Sequence, residues 1–178
     1  NGKKNDLLIL VGDVQAVTSE AQYEVTGKML DFAQKKGVKL TITLGGYGTG
    51  KVHDKPRIFG IVSNKPMVEH YKKYGVIFGE SKGSIIGAAG LLLGLGKIRG
   101  MPGLCLMGET HGGFVDPKSA QALLESLCKI LEIKVDTKKL EQRAKESEAF
   151  AKKMEKEAMA AKGMPLEPGS ERDLSYIR

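Results

Sequence analysis

Apolar residues gather in short runs bounded by glycine, and stretches of helical periodicity separate those runs, so the chain predicts alternating strands and helices. Leu7–Gly12 (LLILVG) and Gly103–Gly108 (GLCLMG) are apolar throughout, the pattern of strands buried on both faces. Val38–Leu44 and Ile58–Ser63 predict two further strands, and Val76–Phe78 a short one. Between the first two strands, Thr18 or Ser19 caps a helix that runs to about Lys36, with Ser19 and Gln22 at capping-box spacing and Gly37 as its stop. This opening is a β-α-β unit, whose crossover should be right-handed.

The stretch Gly79–Asp116 organises the rest. Ser84 is placed to cap a helix over Ile85–Leu95 that is apolar on every face, so it should be enclosed on several sides. Gly83, Gly87, Gly90 and Gly94 fall near one face of it, and each costs about 1 kcal/mol of helix propensity relative to alanine. A close neighbour should therefore lie there, either a backbone of the same fold or a second subunit. Lys65–Tyr74 reads as a short helix. Asp116-Pro117 is a strong helix start, followed by the apolar stripe Ala120, Leu123, Leu124, Leu127, Ile130 and Leu131.

The fold class predicted is α/β, a three-layer domain with a mostly parallel sheet flanked by helices, ending in a long charged helix and a flexible tail. Residues 1–136 form the core domain, 137–163 the helix and 164–178 the tail. Thr137–Lys162 carries Glu141–Lys145 and Glu148–Lys152 at i,i+4 spacing. Its seam of Leu140, Ala144, Ser147, Ala151, Met154, Ala158 and Ala161 is thin, so it should lean on its own domain or on a neighbouring subunit. The chain starts at Asn1-Gly2 without a methionine and enters a strand almost at once, and an N-terminal portion is expected to precede it.

Composition narrows the partners more than the fold. The formal charge is +7 in 178 residues, but the last third mixes Lys with Glu and no basic patch is interleaved with aromatics, so nucleic acid is not an expected partner. The longest apolar run is too short for a membrane span. Cys105 and Cys128 sit in a buried strand and an amphipathic helix, as core residues of a reduced cytoplasmic protein would. Few Asn, Gln and Cys beside many Lys and Glu point to a thermophile.

Two glycine-rich segments carry the candidate chemistry. Gly45–Lys51 (GGYGTGK) matches a phosphate-loop spacing, yet Val52 follows where a hydroxyl should stand, and Pro56 stands where a helix should begin. It reads as a turn whose backbone amides could line a pocket. Glu109, Thr110 and His111 follow the Gly103–Gly108 strand, at a carboxyl end where α/β sheets bind ligands. Gly46, Tyr47, Gly48, Glu109 and Thr110 are thus the candidate small-ligand residues, and a nucleoside- or nucleotide-binding enzyme using these loops is the alternative function. His53, His70 and His111 lack metal-ligand spacing. No catalytic residue, metal or cofactor is predicted.

TLGGYGTG at Thr43–Gly50, GLLLGLGKIRGMPGLCLMGET at Gly90–Thr110 and the Asp-Pro helix resemble the archaeal homologues of eukaryotic proteasome assembly chaperones, over most of the chain to about Leu140. The resemblance implies a nucleoside-phosphorylase-like fold without phosphorylase activity, and non-enzymatic homo-oligomers; because the glycine face and the thin seam each want a close neighbour, a tetramer is expected here. It implies binding to the α-subunits of the 20S proteasome, as an assembly chaperone or an ATP-independent activator. It also implies a C-terminal hydrophobic-Tyr-any motif inserting between α-subunits, carried here by Leu174, Tyr176, Ile177 and Arg178. This sequence departs from that motif, because Tyr176 is third from the end and Ser175 precedes it.

Overall fold

The computed structural model describes residues 6–79, 85–143, 145 and 146. The chain runs through α1 (Ser19–Lys35), β1 (Thr41–Gly48), β2 (Ile58–Val62), α2 (Met67–Lys72), α3 (Ala88–Ile98), β3 (Gly103–Thr110) and α4 (Pro117–Leu131). Seven of the eight residues of β3 are buried, which fits a strand with neighbours on both edges and helices on both faces.

The sheet has the order β1-β3-β2. β3 pairs parallel with β1, from Thr41↔Gly103 to Gly48↔Thr110, and antiparallel with β2, from Ile58↔Gly108 to Val62↔Leu104. The sheet is therefore mixed, not mostly parallel. Leu104 and Leu106 point to one face, where they pack with Tyr71 and Val76 beneath Leu123, Leu127 and Ile130 of α4. Cys105 and Met107 point to the other, with Phe59 and Leu93 of α3. This period of two places helices on both sides of the sheet, as the three-layer expectation requires.

Local chemistry explains most helix ends. The Thr18 hydroxyl accepts from Ala21 N–H at 3.2 Å, which settles the α1 cap on Thr18, and Gly37 terminates the helix with φ 71°. Asp116 Oδ1 accepts from Ser119 N–H at 3.0 Å, with Pro117 as the first residue of α4. α4 ends instead on Glu132, in the left-handed region at φ 54°. A side chain there is strained and its charge opposes the helix dipole, so Glu132→Gly is expected to stabilise the fold by about 0.5–1 kcal/mol. A melting curve of the variant, raised by about 2 °C, checks this.

Four sequence expectations change. Leu7–Gly12 forms no strand: Leu7, Leu8, Ile9, Leu10 and Val11 are exposed, because neither edge of the sheet reaches them. The helix expected over Ile85–Leu95 is shifted to Ala88–Ile98, since Gly87 adopts φ 80°, which an α-helix cannot include. Gln15 Oε1 accepts from Ala88 N–H at 3.2 Å and supplies the cap from 73 residues away; Ser84 lies outside the described residues. α3 packs on the sheet through Leu93 and on α1 through Gly96, but it is not enclosed all round, with Gly94, Lys97 and Ile98 exposed. The expected close neighbours do stand at part of the glycine face: a side chain at Gly87 would run into Gln15 Oε1 and one at Gly90 into the backbone oxygen of Ile85, whereas one at Gly94 would meet open space and Gly83 lies outside the described residues. Finally, Val76–Phe78 makes a single bridge, Phe59↔Ile77, and not a strand.

A further helix begins after Asp136, whose Oδ1 accepts from Lys138 N–H at 3.0 Å, and residues 138–143, 145 and 146 are helical. The remainder of the predicted Thr137–Lys162 helix and the tail with Leu174, Tyr176, Ile177 and Arg178 lie outside the described residues.

Candidate functional site

β1 runs four residues beyond its expected end and β3 two. Gly45 to Gly48, expected in a turn, continue the parallel ladder, and Glu109 and Thr110, expected in a loop, are the last residues of β3. The register places Tyr47 opposite Glu109 and Gly48 opposite Thr110, so the candidate ligand residues meet, but as paired strands. The pairing extends past β1, with Thr49 N–H donating to Thr110 O at 2.8 Å and Gly50 N–H to His111 O at 3.2 Å. Glycines permit this closeness: a side chain at Gly46 would stand 3.1 Å from Thr110 Cγ2. Of the backbone amides proposed to line a pocket, those of Gly45, Tyr47 and Thr49 face β3 and belong to the ladder, while those of Gly46 and Gly48 face the other edge of β1.

Glu109 is 1% exposed and is the centre of the polar cluster. Arg57 Nη2 donates to Oε1 at 2.7 Å and Nε to Oε2 at 3.1 Å, a two-pronged clasp, and the Arg57 backbone N–H adds a bond to Oε2 at 3.2 Å. His53 Nδ1 stands 3.5 Å from the same Oε2. The Arg57 guanidinium also lies 5.0 Å over the ring of Phe59, which packs on Tyr47 with ring centres 4.9 Å apart. Hydrogen bonds from the Arg57 side chain hold the Glu109 carboxyl below its usual range, against the opposing effect of burial. Glu109 is thus a fixed carboxylate with its lone pairs occupied, a poor general acid or base near neutral pH.

The neighbouring polar groups also pair inward. His53 Nε2 lies 2.7 Å from Thr49 Oγ1, which is 3.2 Å from Thr110 O. Thr110 Oγ1 donates to Asp116 Oδ2 at 2.9 Å, so the end of β3 is tied to the cap of α4. Lys118 reaches Asp54 at 3.4 Å, and the His111 ring stacks on Phe114 at 4.5 Å. Together these contacts lock the 49–57 connection onto the carboxyl end of β1 and β3. On the α3 face, burial pushes the Cys105 thiol up, which leaves it a core residue and not a nucleophile.

Arg57 and His53 are the members of this cluster that the sequence did not single out. No local spacing marks them, because Arg57 and Glu109 are 52 residues apart. The only hint was a carboxylate directly after a buried strand, since such a group needs a cationic partner somewhere in the chain.

The PAC2 family profile matches residues 1–155. The chain belongs to the PAC2 family. An uncharacterized protein of Methanocaldococcus jannaschii is 36% identical over 172 residues, which span 96% of this chain and 67% of the relative. Among solved structures, Pyrococcus furiosus PbaB, described as an archaeal proteasome activator, is 41% identical with a TM-score of 0.74. The match covers 81% of this chain and 63% of PbaB. Pyrococcus furiosus PbaA, described as an archaeal homolog of proteasome-assembly chaperone, is 26% identical with a TM-score of 0.70, over 83% of this chain and 61% of PbaA. The PAC2 chain thus spans less than two thirds of either structure. No helix among its described residues is long and apolar enough to cross a membrane.

Proposed function

We propose that this PAC2 chain is a non-enzymatic, homo-oligomeric factor, a tetramer, that acts in the cytoplasm on the 20S proteasome, as an assembly chaperone or an ATP-independent activator. The likeness to PbaB, at 41% identity and a TM-score of 0.74, carries this reading. Two features of the chain support it. The polar cluster around Glu109 is closed on itself through Arg57 and His53, as befits a strut more than a reaction centre. Large apolar side chains stand exposed at Val14 (90%), Val17 (95%), Ile86 (89%) and Ile98 (82%), which favours contact with further protein.

Contact with the α-ring is assigned to the C-terminal tail, with Tyr176 and Ile177 buried in a pocket of the ring and the Arg178 carboxylate against a lysine. Several tails on one oligomer would gain avidity through high effective concentration. Deleting residues 174–178 is expected to abolish co-sedimentation with the 20S particle while melting temperature and oligomer size stay unchanged. Retained binding would place the contact on the body of the oligomer and defeat the tail reading. A thermal-shift panel of nucleosides and nucleotides separates this proposal from the small-ligand reading of Gly46, Tyr47, Gly48, Glu109 and Thr110. A flat panel is expected, whereas a rise of several degrees would favour the ligand.

A further inference from the structure

Among the described residues, the outer edge of β2 is left unpaired over part of its length. Arg57 O accepts from Glu109 N–H at 2.9 Å and Ser63 N–H donates to Gly103 O at 3.0 Å, so the odd-numbered residues turn their backbone groups toward β3. Even-numbered residues turn theirs outward. Ile58 O and Gly60 N–H are taken by Ile77, at 2.9 and 2.8 Å, but that pairing is a single bridge and the chain then turns at Gly79, with φ 83°. Gly60 O, Val62 N–H, Val62 O and Asn64 N–H consequently have no hydrogen-bond partner among the described residues.

A groove of about 1260 Å³ lies along this edge, with Leu40, Met67, Tyr71, Phe78 and Pro102 among its lining. That volume exceeds the roughly 300–1,000 Å³ of small-molecule pockets and suits a stretch of polypeptide. A smaller cavity of about 350 Å³ shares Ile61, Val62, Ser63 and Lys97 with it and extends the trough to α3. Lys65 and Lys97 line the groove, neither has an ion-pair partner among the described residues, and no described lining residue of either cavity is acidic.

We propose that the backbone edge at residues 60–64 and its groove bind an extended peptide segment of another protein, apolar at alternate positions and bearing a carboxylate. Each part of the site recognises one part of that ligand. The four free backbone groups admit a short added strand, the apolar lining takes every second side chain, and the two lysines meet the carboxylate. A purely apolar occupant would leave both cations unanswered. A nucleotide would find no set of converging donors, because the free backbone groups alternate N–H with C=O along a line.

The probe is a fluorescein-labelled hexapeptide of alternating threonine and valine with a free C-terminal carboxylate, titrated into the full chain by fluorescence polarisation. Saturable binding is expected, weakened about threefold by amidating the carboxylate, the scale of one exposed ion pair. Lys97→Glu and Lys65→Glu should weaken the carboxylate peptide more than the amide. Val62→Pro should remove binding of both, since it deletes an outward N–H that the β2–β3 ladder does not use. N-methylation of alternate peptide nitrogens should do the same with the protein untouched, so the proposal stays testable if that variant misfolds. Absence of binding by the unmodified peptide, or equal binding of the N-methylated peptide, overturns it. Dissociation of an oligomer by Val62→Pro in light scattering also overturns it, by giving the edge to a second copy. No proteasome enters the experiment, so its outcome is independent of the tail assignment.

Discussion

Replacing Gly108 by alanine is expected to destabilise the fold by about 1–3 kcal/mol, and by valine to prevent stable folding, because α4 rests directly on that strand position. A side chain there would stand 2.5 Å from Ser119 Oγ and 3.2 Å from Ser119 O, with Leu123 Cβ at 3.7 Å. The hydroxyl can rotate away, but the carbonyl belongs to the helix backbone and can be relieved only by lifting α4. That movement would strain the Asp116 cap and its bond to Thr110. Denaturant midpoints for Gly108→Ala, Ser119→Ala and the double variant check this, with Ser119→Ala expected to recover only part of the loss. Full recovery would show that the hydroxyl alone was in the way.

Arg57→Ala is expected to cost about 1–3 kcal/mol at neutral pH, less than a fully buried pair would, because the Arg57 side chain is 52% exposed while that of Glu109 is 2% exposed. The cost arises at Glu109, a buried carboxylate left with His53 and a backbone N–H. The sign of its pH dependence follows from the lowered Glu109 pKa. In the parent protein this group contributes stability that is present above its ordinary value of 4.5 and is lost as pH falls through the lower folded value. Without the guanidinium, the largest lowering influence on Glu109 is lost and its folded pKa rises relative to the parent. The stability gap between parent and variant should therefore be widest near pH 7 and narrow below about pH 5. Melting curves between pH 3.5 and 7.5 measure it, and a gap independent of pH would mean that Arg57 acts by packing on Phe59.

Features marked by short-range chemistry were legible in the sequence. Thr18, Gly37 and Asp116-Pro117 bound helices where their side chains and backbones dictate, and the apolar run Gly103–Gly108 is the buried central strand. Family membership was legible too, from the Thr43–Gly50 and Gly90–Thr110 blocks. Strand ends were not, because glycines at 45, 46 and 48 suit a turn as well as a close parallel pair, and only the partner strand decides between them. Leu7–Gly12 shows the converse: an apolar run states that burial is favourable, not which edge provides it. The meeting of the two candidate loops was foreseeable from their positions at strand ends. The closure of Glu109 by Arg57 was not, since it depends on the antiparallel return of β2.

The central position of β3 has a consequence for the order of folding. β1 and β2 bond to β3 and not to each other, so during synthesis both emerge as strands without a ladder. About fifty residues separate the end of β2 from the end of β3, which at 5–20 residues per second is a wait of roughly 2–10 s. Throughout that interval the β-branched and aromatic residues of Thr41–Gly48 and Ile58–Val62 are open to wrong partners. The nascent chain is thus most exposed to misassembly before Thr110 emerges, and a ribosome stalled within the α3 stretch should be the form that a cell's own holding chaperones retain.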